Sequence, residues 1–122
     1  TLAIQGDVHA VHVLLAEAAS GVRDYLLTGD RRFLDAHAAA EPALAQVLSR
    51  LRGDVRDAEA AERLDRVVVL VAAEQRALAA LVAQRAALPA GAAAPLPRGM
   101  QRALEANTRV LDALRGEIAA IQ

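Results

Sequence analysis

The sequence has no cysteine, no tryptophan and no lysine, and Tyr25 and Phe33 are its only aromatic residues. Without cysteine, no disulfide can brace the fold, and the redox compartment is left open. With every basic residue an arginine, the bias reads as that of a GC-rich coding sequence. The β-branched residues are scarce outside Val67 to Val71 while alanine is abundant, which points to an all-α protein. A net charge of −1 with scattered arginines excludes a nucleic-acid footprint, which needs clustered positive charge. Uninterrupted apolar runs of the length a bilayer requires, about 20 residues, are also missing. Val67 to Ala73 is uncharged but short, and Ala86 to Pro97 is broken by three prolines. No signal peptide is visible. The chain opens inside one helical pattern at Leu2 and closes inside another at Gln122, so we expect a piece of a larger protein.

What is present is helical periodicity, enough for one domain of 122 residues. The spacing predicts a first helix over 2–28, with Ile4, Val8, Val11, Leu15, Ala18, Val22 and Tyr25 on one face. A second is expected over 31–52 with Leu34, Ala38, Leu44, Leu48 and Leu51 inward, kinked or short of a bond at Pro42. Gly53 and Asp54 break the chain, and Asp57 is placed to cap a third helix over 57–88 through Leu64, Val68, Val71, Leu78 and Val82. Pro89 to Pro97 reads as a long loop. A fourth helix over 98–121 carries Met100, Leu104, Leu111, Leu114, Ile118 and Ile121 at heptad spacing. Glu59–Arg63, Glu62–Arg66 and Glu105–Arg109 are i,i+4 pairs that mark solvated faces. Short connections predict an antiparallel up-down-up-down four-helix bundle with both termini at the same pole.

Catalytic chemistry finds no foothold. His9 and His12 stand three apart, but no third metal ligand is obvious, and solvated histidines are the expectation. The residues three before His9, His12 and His37 are Gly6, His9 and Leu34, so the Glu-x-x-His pairs of a di-iron bundle are missing. Haem ligation by Met100 rests on residue identity alone. Ser20, Thr28, Ser49 and Thr108 have no His–carboxylate pattern nearby. No phosphoacceptor box is present. We expect a non-catalytic chain without cofactor or metal.

The most particular stretch is Gly21 to Asp30. Leu26 and Leu27 close the first apolar stripe, Gly29 suits a left-handed C-cap, and Asp30 suits an N-cap. The composite Arg-x-Tyr-Leu-Leu-Thr-Gly-Asp from Arg23, followed by Phe33-Leu34, resembles the third class of CHASE domains, the sensory modules of bacterial receptors. Leu48, Leu51, Arg63-Leu64, Gly99-Met100 and Glu117 resemble later parts of that family. Asp24 stands where the family usually has glycine and His37 where it often has tyrosine, and the proline expected near Asp57 is absent. The resemblance implies a module outside the cytoplasmic membrane between two transmembrane helices, with histidine kinases, cyclases or chemoreceptor modules as outputs. It brings no binding residues.

Two groups of polar residues are candidates for function. Ser20, His37, Gln75 and Asn107 fall on expected core positions at a similar height, about 20–30 Å above the pole of the termini. One polar side chain from each helix would then meet in a layer, either setting helix register or forming a ligand or switch site; the remaining alternative is a different register in which they face water. Arg23, Asp24 and Asp30, close to Arg31 and Arg32, form the second group at the distal turn, where capping and ion pairing compete with a ligand site. The sequence-based expectation is an extracytoplasmic sensor or relay domain of a transmembrane receptor, a histidine kinase of a two-component system, acting as a homodimer next to flanking transmembrane helices. The alternatives are the input domain of a chemoreceptor or cyclase, or a soluble helical interaction scaffold.

Overall fold

The computed structural model describes residues 2–89 and 96–121; most of the Pro89 to Pro97 loop lies outside the described residues. The described residues form four α-helices and no strand: α1 (Leu2–Thr28), α2 (Asp35–Asp54), α3 (Ala58–Ala86) and α4 (Arg98–Ala119). A short 3-10 turn, Arg31–Leu34, fills the place where the second helix was expected to begin. Most of the stability of such helices comes from packing an apolar face against a partner surface rather than from propensity.

The turn after α1 follows from three residues. Gly29 adopts φ 72°, a left-handed value that side chains with a Cβ rarely take, and its N–H donates to the Tyr25 carbonyl at 2.7 Å. The Thr28 hydroxyl donates to the Asp24 carbonyl and accepts from the Asp30 N–H. Asp30 then caps the 3-10 turn by accepting from the Arg32 N–H at 3.0 Å. Gly21 lets this turn sit against α1: a Cβ there would stand 2.4 Å from the Phe33 carbonyl oxygen.

α2 runs unbroken through Pro42. The bond that proline cannot make would end on the Ala38 carbonyl, and both residues are exposed, so water can serve that carbonyl. Ala38 therefore faces solvent, against expectation, and the buried stripe is Ala40, Leu44, Val47 and Leu51. Asp57 occupies the N-cap position of α3 with extended backbone, although its side chain makes no capping bond.

One core cluster joins all four helices, from Val8, Val11 and Val22 on α1 to Leu114 and Ile118 on α4. α1 and α3 each pack against the other three helices, whereas α2 and α4 make no close approach among the described residues. The stripe of α3 is Leu64, Val67, Val71, Glu74, Leu78, Leu81 and Arg85, offset by one residue from the expected positions at Val68 and Val82, which are half-buried. By length and composition α3 is the one helix among the described residues apolar enough to cross a membrane. Counting only uninterrupted apolar runs misses it. Its buried stripe is committed to the other helices, and core helices pass the same compositional test.

Candidate functional site: a buried polar pair between the third and fourth helices

Of the four polar residues expected to form a layer, only Asn107 is buried. Ser20 is exposed on α1, while His37 and Gln75 are half-buried. Gln75 lines an open groove between α2 and α3 with Leu44, Leu48 and Val71. The expected four-membered layer is thus replaced by a two-membered one. Glu74, one residue before Gln75, is only 1% exposed, and its Oε1 accepts from the Asn107 side-chain amide at 2.5 Å. The cause is register: Glu74 lies on the buried stripe of α3, three residues beyond Val71 and four before Leu78. Asn107 holds the equivalent place on α4, seven residues from both Met100 and Leu114.

The pair is not fully satisfied. Glu74 Oε2 is buried and finds no hydrogen-bond donor among the described residues. Burial raises the Glu74 pKa above the ordinary carboxyl value, and the Asn107 hydrogen bond pulls it the other way with less effect.

Arg85 is the second charged residue on this stripe and is 3% exposed. Its Nε donates to the Leu26 carbonyl at 3.1 Å, and its Nη1 reaches the Pro89 carbonyl at 3.4 Å. Leu26 carries one of the last carbonyls of α1, which have no partner within their own helix. A guanidinium suits that end both as donor and as positive charge facing the negative helix terminus. Arg85 thereby ties the end of α3 to the end of α1.

The distal-turn candidates do not converge. Arg23 is exposed and Asp24 half-buried. The Asp30 carboxylate is occupied by Arg32, whose Nη2 lies 2.7 Å away. This local bidentate pair lowers the Asp30 pKa, chiefly through the side-chain hydrogen bond from Arg32. His9 and His12 border a shallow cavity with Arg115, a cation where a metal site would need a third donor. No cluster of three metal-ligating side chains is found among the described residues. A groove of about 490 Å³ is bordered by Ile4 of α1 and by Ile121, beside Asp54 to Asp57 and Arg63.

Sequence reading missed Glu74 and Arg85. The signal was the strict alternation of steps of three and four from Leu64 to Arg85, into which both fall. Comparison with curated proteins and with solved structures gives no match. The family model of the CHASE3 domain matches residues 1–122, the whole sequence. CHASE3 domains are extracellular, non-catalytic sensory domains of receptors such as histidine kinases and chemoreceptors. The particular run from Arg23 to Leu34, the four helices and the match over the full sequence agree, and the chain belongs to the CHASE3 family.

Proposed function

We propose that this chain is the extracytoplasmic input domain of a bacterial transmembrane receptor whose output is a histidine kinase of a two-component system. The family match over residues 1–122 carries this reading. We further propose that the four helices close as an up-down-up-down bundle. Asp7, near the start of α1, pairs with Arg50, near the end of α2, at 3.2 Å. Arg66, early in α3, lies 3.6 Å from Glu117, near the end of α4. These pairings support antiparallel neighbours, and Ile4 and Ile121 bordering one groove supports a shared pole for the two ends.

In this reading a stimulus biases two packing arrangements, and α1 and α4 transmit the shift to membrane spans by sliding or rotating against each other. Packed helical interfaces favour discrete alternatives over smooth deformation, which suits such a relay. The receptor works as a homodimer, with membrane anchoring supplying effective concentration. The relay runs through the Glu74–Asn107 layer rather than the distal turn, where Asp30 is already engaged.

The deciding experiment is to sequence about 60 codons on either side of this segment. Spans of about 20 apolar residues on both sides, with a phosphoacceptor box downstream, are the expected result. Two polar flanks would overturn the receptor reading and leave a helical interaction scaffold. Apolar spans followed by a chemoreceptor or cyclase module would keep the sensor and change the output.

A further inference from the structure

Among the described residues, and apart from the Tyr25 phenol, the buried polar or charged side chains are Glu74, Arg85 and Asn107. Arg85 is answered by main-chain carbonyls and the Asn107 amide by Glu74. Of these three, Glu74 is the exception: its Oε2 is buried with no hydrogen-bond partner among the described residues, and the other such oxygen, Glu117 Oε2, has Arg66 at 3.6 Å. A carboxylate there would hold a full charge with a single side-chain donor at a position 1% exposed, an arrangement that burial penalises heavily. A neutral carboxylic acid fits this surrounding better. Acid and primary amide are also chemically complementary, since the acid carbonyl accepts from the amide N–H and the acid O–H can donate to an amide carbonyl. A carboxylate can use only the first of these.

We propose that the Glu74–Asn107 pair is a proton-controlled latch between α3 and α4, shut while Glu74 is a neutral acid and loosened when its carboxyl gives up the proton. The step is a proton transfer from the carboxyl to water or buffer and back, and no other bond changes. The latch is a property of this domain and stands whatever output the receptor carries.

Among the described residues no other buried charge lies at this height. On α3 itself Arg76 is exposed, and Arg85 lies eleven residues further along, about 16 Å at the helical rise. On α4, Glu105 and Arg109 are exposed. The Arg50–Asp7 and Arg52–Asp65 pairs set a register that brings Leu15 of α1 and Leu44 of α2 to about the same level. The titratable groups nearby on those helices are Glu17 and Glu41, both exposed, and His12, half-buried. Solvent and salt screen such groups, whereas Glu74 is shielded. Burial raises the Glu74 pKa, so the folded chain holds the proton more tightly than the unfolded one. The associated stability is complete below the ordinary value of 4.5 and is lost as pH rises through the folded value.

The test compares this chain with Glu74→Gln and Glu74→Leu by thermal unfolding between about pH 5 and about pH 8. Every other residue is common to all three chains, so the difference isolates position 74. We expect the unchanged chain to lose about 3–7 °C of Tm per pH unit relative to either variant within the titration window. Infrared spectra should show a protonated-carboxyl band that Glu74→Gln abolishes and that fades over the same pH range. The chain has no native cysteine, so spin labels on Ala77→Cys and Glu105→Cys report the α3–α4 separation directly. Their distance distribution should widen as pH rises, and stay fixed when Glu74→Gln is added. Parallel melting curves, a Glu74 ionised throughout, or a label distance insensitive to pH would each overturn the latch. Because Glu74→Leu removes the titration without an amide, the test survives if Glu74→Gln folds poorly.

Discussion

α1 and α3 bury stripes of the same geometry and opposite character. On α1, Val8, Val11, Leu15, Ala18, Val22 and Tyr25 follow steps of three and four and are apolar but for one phenol. On α3, Leu64, Val67, Val71, Glu74, Leu78, Leu81 and Arg85 follow the same steps with two charged residues among them. Spacing therefore reports which positions are buried, and says nothing of what they must be. An ionisable residue holds a core position when a partner stands opposite. Asn107 does this for Glu74, and the end of α1 does it for Arg85. α1 is a packing surface throughout, whereas α3 carries the polar features that distinguish this core from a generic bundle.

The sharpest way to break the comparison is to give α1 what α3 has. Leu15 is 3% exposed on an apolar stretch, so Leu15→Glu buries a carboxyl with no amide placed to receive it. It should cost about 3–5 kcal/mol in denaturant unfolding. A loss below about 1 kcal/mol would mean that α1 tolerates charge as α3 does. Next in size are the partners on α3. Arg85→Met strands the Leu26 carbonyl and should cost about 1–3 kcal/mol. Asn107→Leu strands Glu74 and should cost about the same. Adding Glu74→Leu to Asn107→Leu should recover most of that loss, because replacing both partners avoids the unpaired group. If the two changes add instead, the pair is not a coupled unit.

How well each stripe could be read from sequence depended on the same contrast. The face of α1 was legible because its apolar positions are separated by Gln5, Asp7, His9, Glu17, Arg23 and Asp24, which fix the phase. On α3 the five consecutive apolar residues Val67 to Val71 cover more than a full turn, so two phases fit. One passes through Val68, Gln75 and Val82, the other through Val67, Glu74, Leu81 and Arg85. The first contains fewer charges, so apolar spacing favours it, yet the second is buried. The information that decides between them lies on α4 and α1, in the positions of Asn107 and the Leu26 carbonyl, and no local pattern contains it. Alanine was equally uninformative on α2. It is apolar enough to be buried and small enough to be exposed, so Ala38 and Ala40 could not be ranked. Gly29 and Asp30 were legible because their roles are local to one turn.

A smaller comparison can be made within α1 alone. Gly21 faces the 3-10 turn, where a Cβ would meet the Phe33 carbonyl oxygen at 2.4 Å, whereas a Cβ at Gly6 would meet nothing within 4 Å. Gly21→Ala requires a main-chain shift and should destabilise by about 1–3 kcal/mol. Gly6→Ala meets no obstacle and gains helix propensity, so it should stabilise by about 0.5–1 kcal/mol. Opposite signs from the same chemical change on one helix would confirm that close approach, not helicity, holds glycine at position 21.

The smallest effect is expected at Asp30, and its sign is the informative part. Asp30 and Glu74 are both carboxyls with one side-chain partner, but their pKa values move in opposite directions. The Arg32 hydrogen bond lowers that of Asp30, and burial raises that of Glu74. Stability linked to Asp30 is therefore present above its unfolded value and is lost as pH falls through the folded one, the reverse of Glu74. Asp30→Asn keeps a side-chain cap for the 3-10 turn while removing the charge paired with Arg32. It should flatten only the acid limb of a Tm–pH profile, slightly, and added salt should shrink the difference because the pair is at the surface. Glu74→Gln should flatten only the limb toward higher pH and resist salt. A salt-sensitive Glu74 effect would mean that its carboxyl reaches solvent and that the core pair is open before any proton leaves.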